Sequence, residues 1–87
     1  IKHFNAAWNN SNNVTWLTNL SDCTVKYYDI SKNPELQKKY KVVVVPTIVL
    51  FLDGEEVERF QADISFKMSA TKSEVQEAID EAVMGGF

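Results

Sequence analysis

Apolar positions along this chain form one long run, several short alternating stretches and one helical stripe. The run is residues 41–53, KVVVVPTIVLFLD, which is rich in β-branched residues and reads as a strand buried on both faces. Pro46 cannot donate a ladder hydrogen bond, so it is predicted to mark the start of that strand, with the isomer of the Val45–Pro46 bond left open by the residues themselves. Residues 1–7 predict a short strand. The polar patch Asn9-Asn10-Ser11-Asn12-Asn13 predicts a loop leading to a helix cap. Val14, Trp16, Leu17 and Leu20 recur at spacings near three and four, which predicts a short amphipathic helix ending by Ser21 or Asp22.

Residues 23–30, CTVKYYDI, are strand formers throughout. Asn33-Pro34 then predicts a helix start, because asparagine caps and proline takes the first helical position without losing a bond. That helix is expected to reach about Tyr40, with Leu36 and Tyr40 on its buried face. Asp53-Gly54 predicts a hairpin between Thr47–Leu52 and residues 56–61, with a bulge because Val57 and Phe60 break alternation. Ile64, Phe66 and Met68 alternate, and either extend that strand or form a projecting loop. Thr71 and Glu74 have capping-box spacing ahead of a stripe of Val75, Ala78, Ile79, Ala82 and Val83. Gly85 and Gly86 are expected to stop this helix, leaving Phe87 as a frayed tail.

The order is therefore β-α-β-α-β-β-α, an α/β chain. A crossover helix makes the first two strands parallel and the tight turn makes the last two antiparallel, giving a mixed four-stranded sheet with helices on both faces. Its 87 residues fit one domain spanning 1–87, and 45% hydrophobic content supplies a core without staples. A net charge of −3 with no basic cluster is not the footprint of a nucleic-acid binder. One cysteine, Cys23, and one histidine leave no disulfide and no cysteine-based zinc site, so no metal or cofactor is expected. No apolar segment is long enough to span a membrane. The lack of disulfides leans toward a reducing, cytoplasmic setting without excluding an oxidising one. The start at Ile1 is consistent with a processed product, a trimmed chain or an excised domain.

Several of these residues together resemble the thioredoxin family. The signals are Tyr27-Tyr28-Asp29-Ile30-Ser31-Lys32-Asn33-Pro34-Glu35-Leu36, then Lys39-Tyr40-Lys41-Val42, Val45-Pro46-Thr47 and Leu52-Asp53-Gly54-Glu55, in the family's order over residues 24–60. The resemblance implies the sheet order 2-1-3-4. It implies that Pro46 is cis and faces the loop after the first strand, with Val45 offering backbone groups to an extended peptide. It also exposes a departure. Trp8-Asn9-Asn10-Ser11-Asn12 lies where the family carries Trp-Cys-Gly-Pro-Cys, so Asn9 and Asn12 replace both redox cysteines. An amide cannot attack a disulfide sulfur, which excludes the dithiol reaction. His3 falls where relatives often have a buried acid, Lys41 and Ala62 replace glycines, the helix after the Asn patch is shorter, and the loop over residues 63–70 is longer. The family's usual N-terminal strand and helix have no counterpart in these residues.

Other chemistry-bearing residues have plainer readings. Cys23 opens the second strand, whereas the Asn9 loop follows the first. In parallel strands these lie at opposite ends, about 20 Å apart, which favours a structural thiol over a nucleophile. His3 lacks a nucleophile or orienting partner and reads as a packed or surface residue. The sequons at Asn9, Asn13 and Asn19 arise readily by chance in an asparagine-rich patch. Glu55, Glu56, Glu58 and Arg59, and Glu74, Glu77 and Glu81, read as solvated faces. The functional expectation is a redox-inactive module, not an enzyme, that binds a protein or extended peptide through a groove of Trp8, Asn9, Asn12, Val45, Pro46 and Thr47, aided by Phe66. The alternatives are an atypical thiol oxidoreductase, either using Cys23 or with its cysteines replaced in this version of the chain, or a domain that only spaces its neighbours. Residues 42–45 with Ile64, Phe66 and Met68 fit a dimer patch or a buried strand and its extension equally, so the oligomeric state stays open.

Overall fold

The computed structural model describes residues 1–85, so the expected helix stop at Gly86 and tail at Phe87 lie outside the described residues. Four strands, β1 (Lys2–Asn5), β2 (Lys26–Asp29), β3 (Thr47–Leu52) and β4 (Glu55–Gln61), form one sheet in the order β2-β1-β3-β4. β1 pairs parallel with β2 and antiparallel with β3, and β3 pairs antiparallel with β4. This is the mixed order that the resemblance implies. Two helices, α1 (Pro34–Lys39) and α2 (Lys72–Val83), complete the regular elements together with two short 3-10 helices at Ala7–Asn12 and Thr15–Asn19.

Alternation along β3 divides the core. Ile48 and Leu50 face one side, where they pack with Val14, Leu17 and the α2 residues Val75, Ala78, Ile79 and Ala82. Val49 faces the other side with Phe4, Ala6, Ile30, Val42 and Val45. Six residues of β3 that are buried or half-buried explain why the run reads as an interior strand. The strand begins just after Pro46, as the proline predicts, and residues 41–45 are not part of it. Val43, inside the same apolar run, is 78% exposed.

The second face is closed less by α1 than by the residues just beyond its C-terminus. No residue within α1 is fully buried, and Leu36 is only half-buried. Tyr40 at its C-cap packs instead, its ring 5.2 Å from Phe4 and 5.9 Å from Phe51. Lys2 lies over the Tyr40 ring at 4.4 Å and donates to its hydroxyl at 2.7 Å, a cation held against an aromatic face. Lys41 then takes φ 52°, the left-handed conformation glycine favours. Arg59 steadies this turn by donating to the Tyr40 and Lys41 carbonyls while pairing with Glu56. The sequence reading of Arg59 as a solvated charge is therefore replaced by a bridging one.

The remaining differences are mostly of boundary. The Asn patch is not a plain loop but a 3-10 helix kinked at Asn9, and the following segment is 3-10 rather than α-helical. The strands β1 and β2 are shorter than residues 1–7 and 23–30. At the hairpin, Asp53 and Gly54 both have positive φ, as a type I′ turn requires. The register shifts between Leu50 and Phe51, which pair with Glu58 and Glu56, so Val57 is the extra residue of a bulge. Residues beyond β4 form a loop, not an extension, joined only by an isolated Ala62–Met68 bridge. Val83 falls off the buried stripe of α2 and is exposed.

The Thr71 cap of α2 is complete: its hydroxyl accepts from the Glu74 N–H and the Glu74 carboxylate accepts from the Thr71 N–H. Because α2 carries much of one core face, Thr71→Ala is expected to lower stability by about 1 kcal/mol. Urea titration should show an earlier midpoint with an unchanged slope.

Candidate functional site

The C-terminal end of β1 delivers Asn5 to the point where three otherwise separate segments meet. Asn5 is fully buried, and Asn9, four residues on, is 4% exposed. Two buried amides in a sheet end require partners for every polar atom. Asn9 Nδ2 donates to Asn5 Oδ1 at 3.1 Å, to the Phe66 carbonyl at 3.1 Å and, at 3.4 Å, to the Val45 carbonyl. An amide nitrogen carries two hydrogens, so the longest of these is a shared contact. Asn9 Oδ1 accepts from Asn12 Nδ2 at 2.8 Å. Asn5 Nδ2 donates to the Asn9 carbonyl and to Asn13 Oδ1. One side chain thus joins the Asn patch, the turn before β3 and the loop after β4.

The turn before β3 is built around a cis Val45–Pro46 peptide. Val45, Pro46 and Thr47 are buried, and the Thr47 hydroxyl donates to the Val44 carbonyl at 2.6 Å. The Val45 N–H has no hydrogen-bond partner among the described residues. The Pro46 carbonyl accepts from the Ala62 N–H at 3.0 Å, which fixes the base of the loop after β4 to this turn. That loop folds on Asp63: its carboxylate accepts from the Ser65 and Lys67 N–H groups, and its carbonyl accepts from Phe66. Phe66 sits at φ 62° and meets the Trp8 ring edge-on at 5.2 Å.

Of the six residues singled out in the sequence, Trp8 alone is strongly exposed, at 65%. Asn12 is half-buried and the other four are interior. The structure gathers all six within one neighbourhood through the Asn9 contacts, yet Asn9 faces inward. Sequence pattern singles out neither Asn5 nor Asp63. Nothing local marks Asn5 as buried, whereas the Asp63 spacing to Ser65 is an ordinary Asx-turn pattern. A larger concavity of about 570 Å³ lies between α1 and residues 41–43, but none of the six residues lines it.

Cys23 sits beside the Ile1 end of β1, at the opposite end of the parallel β1–β2 pair from Asn9. Burial pushes its thiol pKa up, and Asp22 adds to this against the opposing N-terminal ammonium, so the reactive thiolate is disfavoured. Among the described residues, no three His, Cys, Asp or Glu side chains cluster as a metal site, and no helix is long and apolar enough to cross a membrane.

Part of the chain is similar to thioredoxins. It is 44% identical over 39 residues to a thioredoxin of Mycobacterium tuberculosis, covering 45% of this chain and 34% of that protein. It is 42% identical over 40 residues to a Chlamydia trachomatis thioredoxin, covering 46% and 39%. Similarity to thioredoxin Y1, chloroplastic, of Arabidopsis thaliana is 41% over 39 residues, covering 45% of this chain and 23% of that one. The matches thus span between 23% and 39% of the length of these relatives. No family model matches the chain.

His3 is buried on the α2 side of β1, against the tilted Tyr27 ring at 5.2 Å, and its Nε2 has no partner among the described residues. Burial lowers its pKa to about 4. The folded state therefore holds His3 neutral while the unfolded chain protonates near 6.5. Stability is full above about pH 6.5 and falls as the pH drops toward 4, by about 3 kcal/mol in all. His3→Leu is expected to remove most of that acid loss, which denaturant titrations at several pH values would read.

Proposed function

We propose, for a chain with a thioredoxin-like sheet order and partial sequence similarity to thioredoxins, a binding role at the cis-proline turn without thiol chemistry. The carrying observation is the exposed Trp8 indole, next in sequence to the Asn9 that reaches the Val45 backbone, a position whose N–H is unpaired among the described residues and whose carbonyl is held there only by a long, shared contact. An extended peptide adds to such a position as a strand, using main-chain bonds for affinity and an aromatic anchor for specificity. In this reading Trp8 and the Val45 backbone touch the partner. Asn9, Pro46 and Thr47 shape the turn from inside, and Asn12 reaches the partner's edge. The partner is a protein or extended peptide. Asn9 and Asn12 in place of cysteines, and a lone cysteine at the far end of the sheet, support a role that uses no disulfide exchange.

The test is selection from a random dodecapeptide library, followed by titration of a selected peptide. Trp8→Ala should weaken its binding about tenfold or more. Amide shifts on titration should centre on residues 44–47. Unchanged affinity in Trp8→Ala, or shifts confined to α1, would remove this siting.

A further inference from the structure

We infer that residues 63–67 form a lid over the cis-proline turn, latched shut by the Asn9 side chain. Three observations converge on it. The segment is closed on itself: Asp63 takes the Ser65, Phe66 and Lys67 N–H groups, and its own N–H donates to the Lys67 carbonyl at 2.9 Å. It therefore moves as a unit about Ala62 and Met68, whose isolated bridge forms its base. Its attachments to the body are few. Among the described residues, the hydrogen bond from outside the segment comes from Asn9 Nδ2 to the Phe66 carbonyl, supplemented by the Trp8–Phe66 ring contact. At the tip, Ile64 is 98% exposed and holds nothing down.

The latch also lies where it controls access. The Phe66 and Val45 carbonyls are both reached by one Asn9 nitrogen, at 3.1 and 3.4 Å. A peptide pairing with the Val45 backbone would have to take the place that Phe66 and this amide occupy. Removing one hydrogen bond is then expected to shift the open population about fivefold to tenfold. The access consequence rests on the peptide-binding reading; the latch itself does not.

The experiment compares Asn9→Ala with the parent protein in a Trp16→Phe background, so that Trp8 alone fluoresces, and Phe66→Gly serves as the uncapped reference. Acrylamide quenching of Trp8 in Asn9→Ala should move from the parent value toward that of Phe66→Gly. Relaxation-dispersion amplitudes at residues 63–67 should grow. Unchanged quenching and amplitudes overturn the latch. If Asn9→Ala does not fold, Trp8→Ala removes the aromatic half of the latch, and the same amplitudes must rise or the lid is wrong. A library-selected peptide should bind Asn9→Ala several-fold more tightly, since lid opening no longer taxes binding. A lid that opens in Asn9→Ala while no peptide binds either protein upholds the latch and sinks the binding reading. Equal peptide affinity with an unmoved lid does the reverse.

Discussion

The Asn9 amide is the constraint on which the end of the molecule that carries the cis Val45–Pro46 turn depends. A side chain that polar, at that depth, is tolerated only because each of its atoms is answered: by Asn5, by Asn12 and by two main-chain carbonyls remote in sequence. Those answers come from β1, from the Asn patch, from the turn before β3 and from the loop after β4. Each segment is short and irregular, and none has a core of its own. The amide network substitutes for regular secondary structure at the point where the sheet ends.

The opposite face of the sheet is organised by a different device with the same purpose. Tyr40, Lys41 and Val42 must cross the Val49 side of the sheet after a helix that buries nothing itself. Lys2 and Arg59 hold that crossing from β1 and β4, one through the Tyr40 ring and hydroxyl, the other through backbone carbonyls. The hydrogen bond from Lys2 lowers the Tyr40 hydroxyl pKa. Fixing Tyr40 and Lys41 fixes the start of the segment that leads into the Val45–Pro46 turn. The two devices thus meet at one place from opposite ends of residues 41–46.

Much of the fold was legible because its signals are local. Asn33-Pro34, Asp53-Gly54, and Thr71 with Glu74 each act over at most four residues, and each marks the boundary where the structure has one. The bulge at Val57 was legible for a related reason, since Val57 and Phe60 can share the α2-side core only if alternation breaks between them. The site was less legible. The Asn-rich patch reads as loop by composition, and only contacts spanning 36 and 57 residues reveal that Asn9 is interior. Pro46 marks the strand start, but the apolar run ahead of it reads no differently from the strand, and Val43 within it is exposed.

Two buried amides, Asn5 and Asn9, limit what this end of the sheet can do in a definite way. A thiolate must be partly exposed to attack, and its pair must be free to oxidise and reduce. An amide gains nothing from exposure and much from burial, provided it is fully paired. Asn9 has accordingly turned inward, leaving the exposed position to its neighbour Trp8. The Asn9 amide contributes cohesion between the turn and the loop beyond β4. The side chains exposed beside this network are aromatic, Trp8 and Phe66.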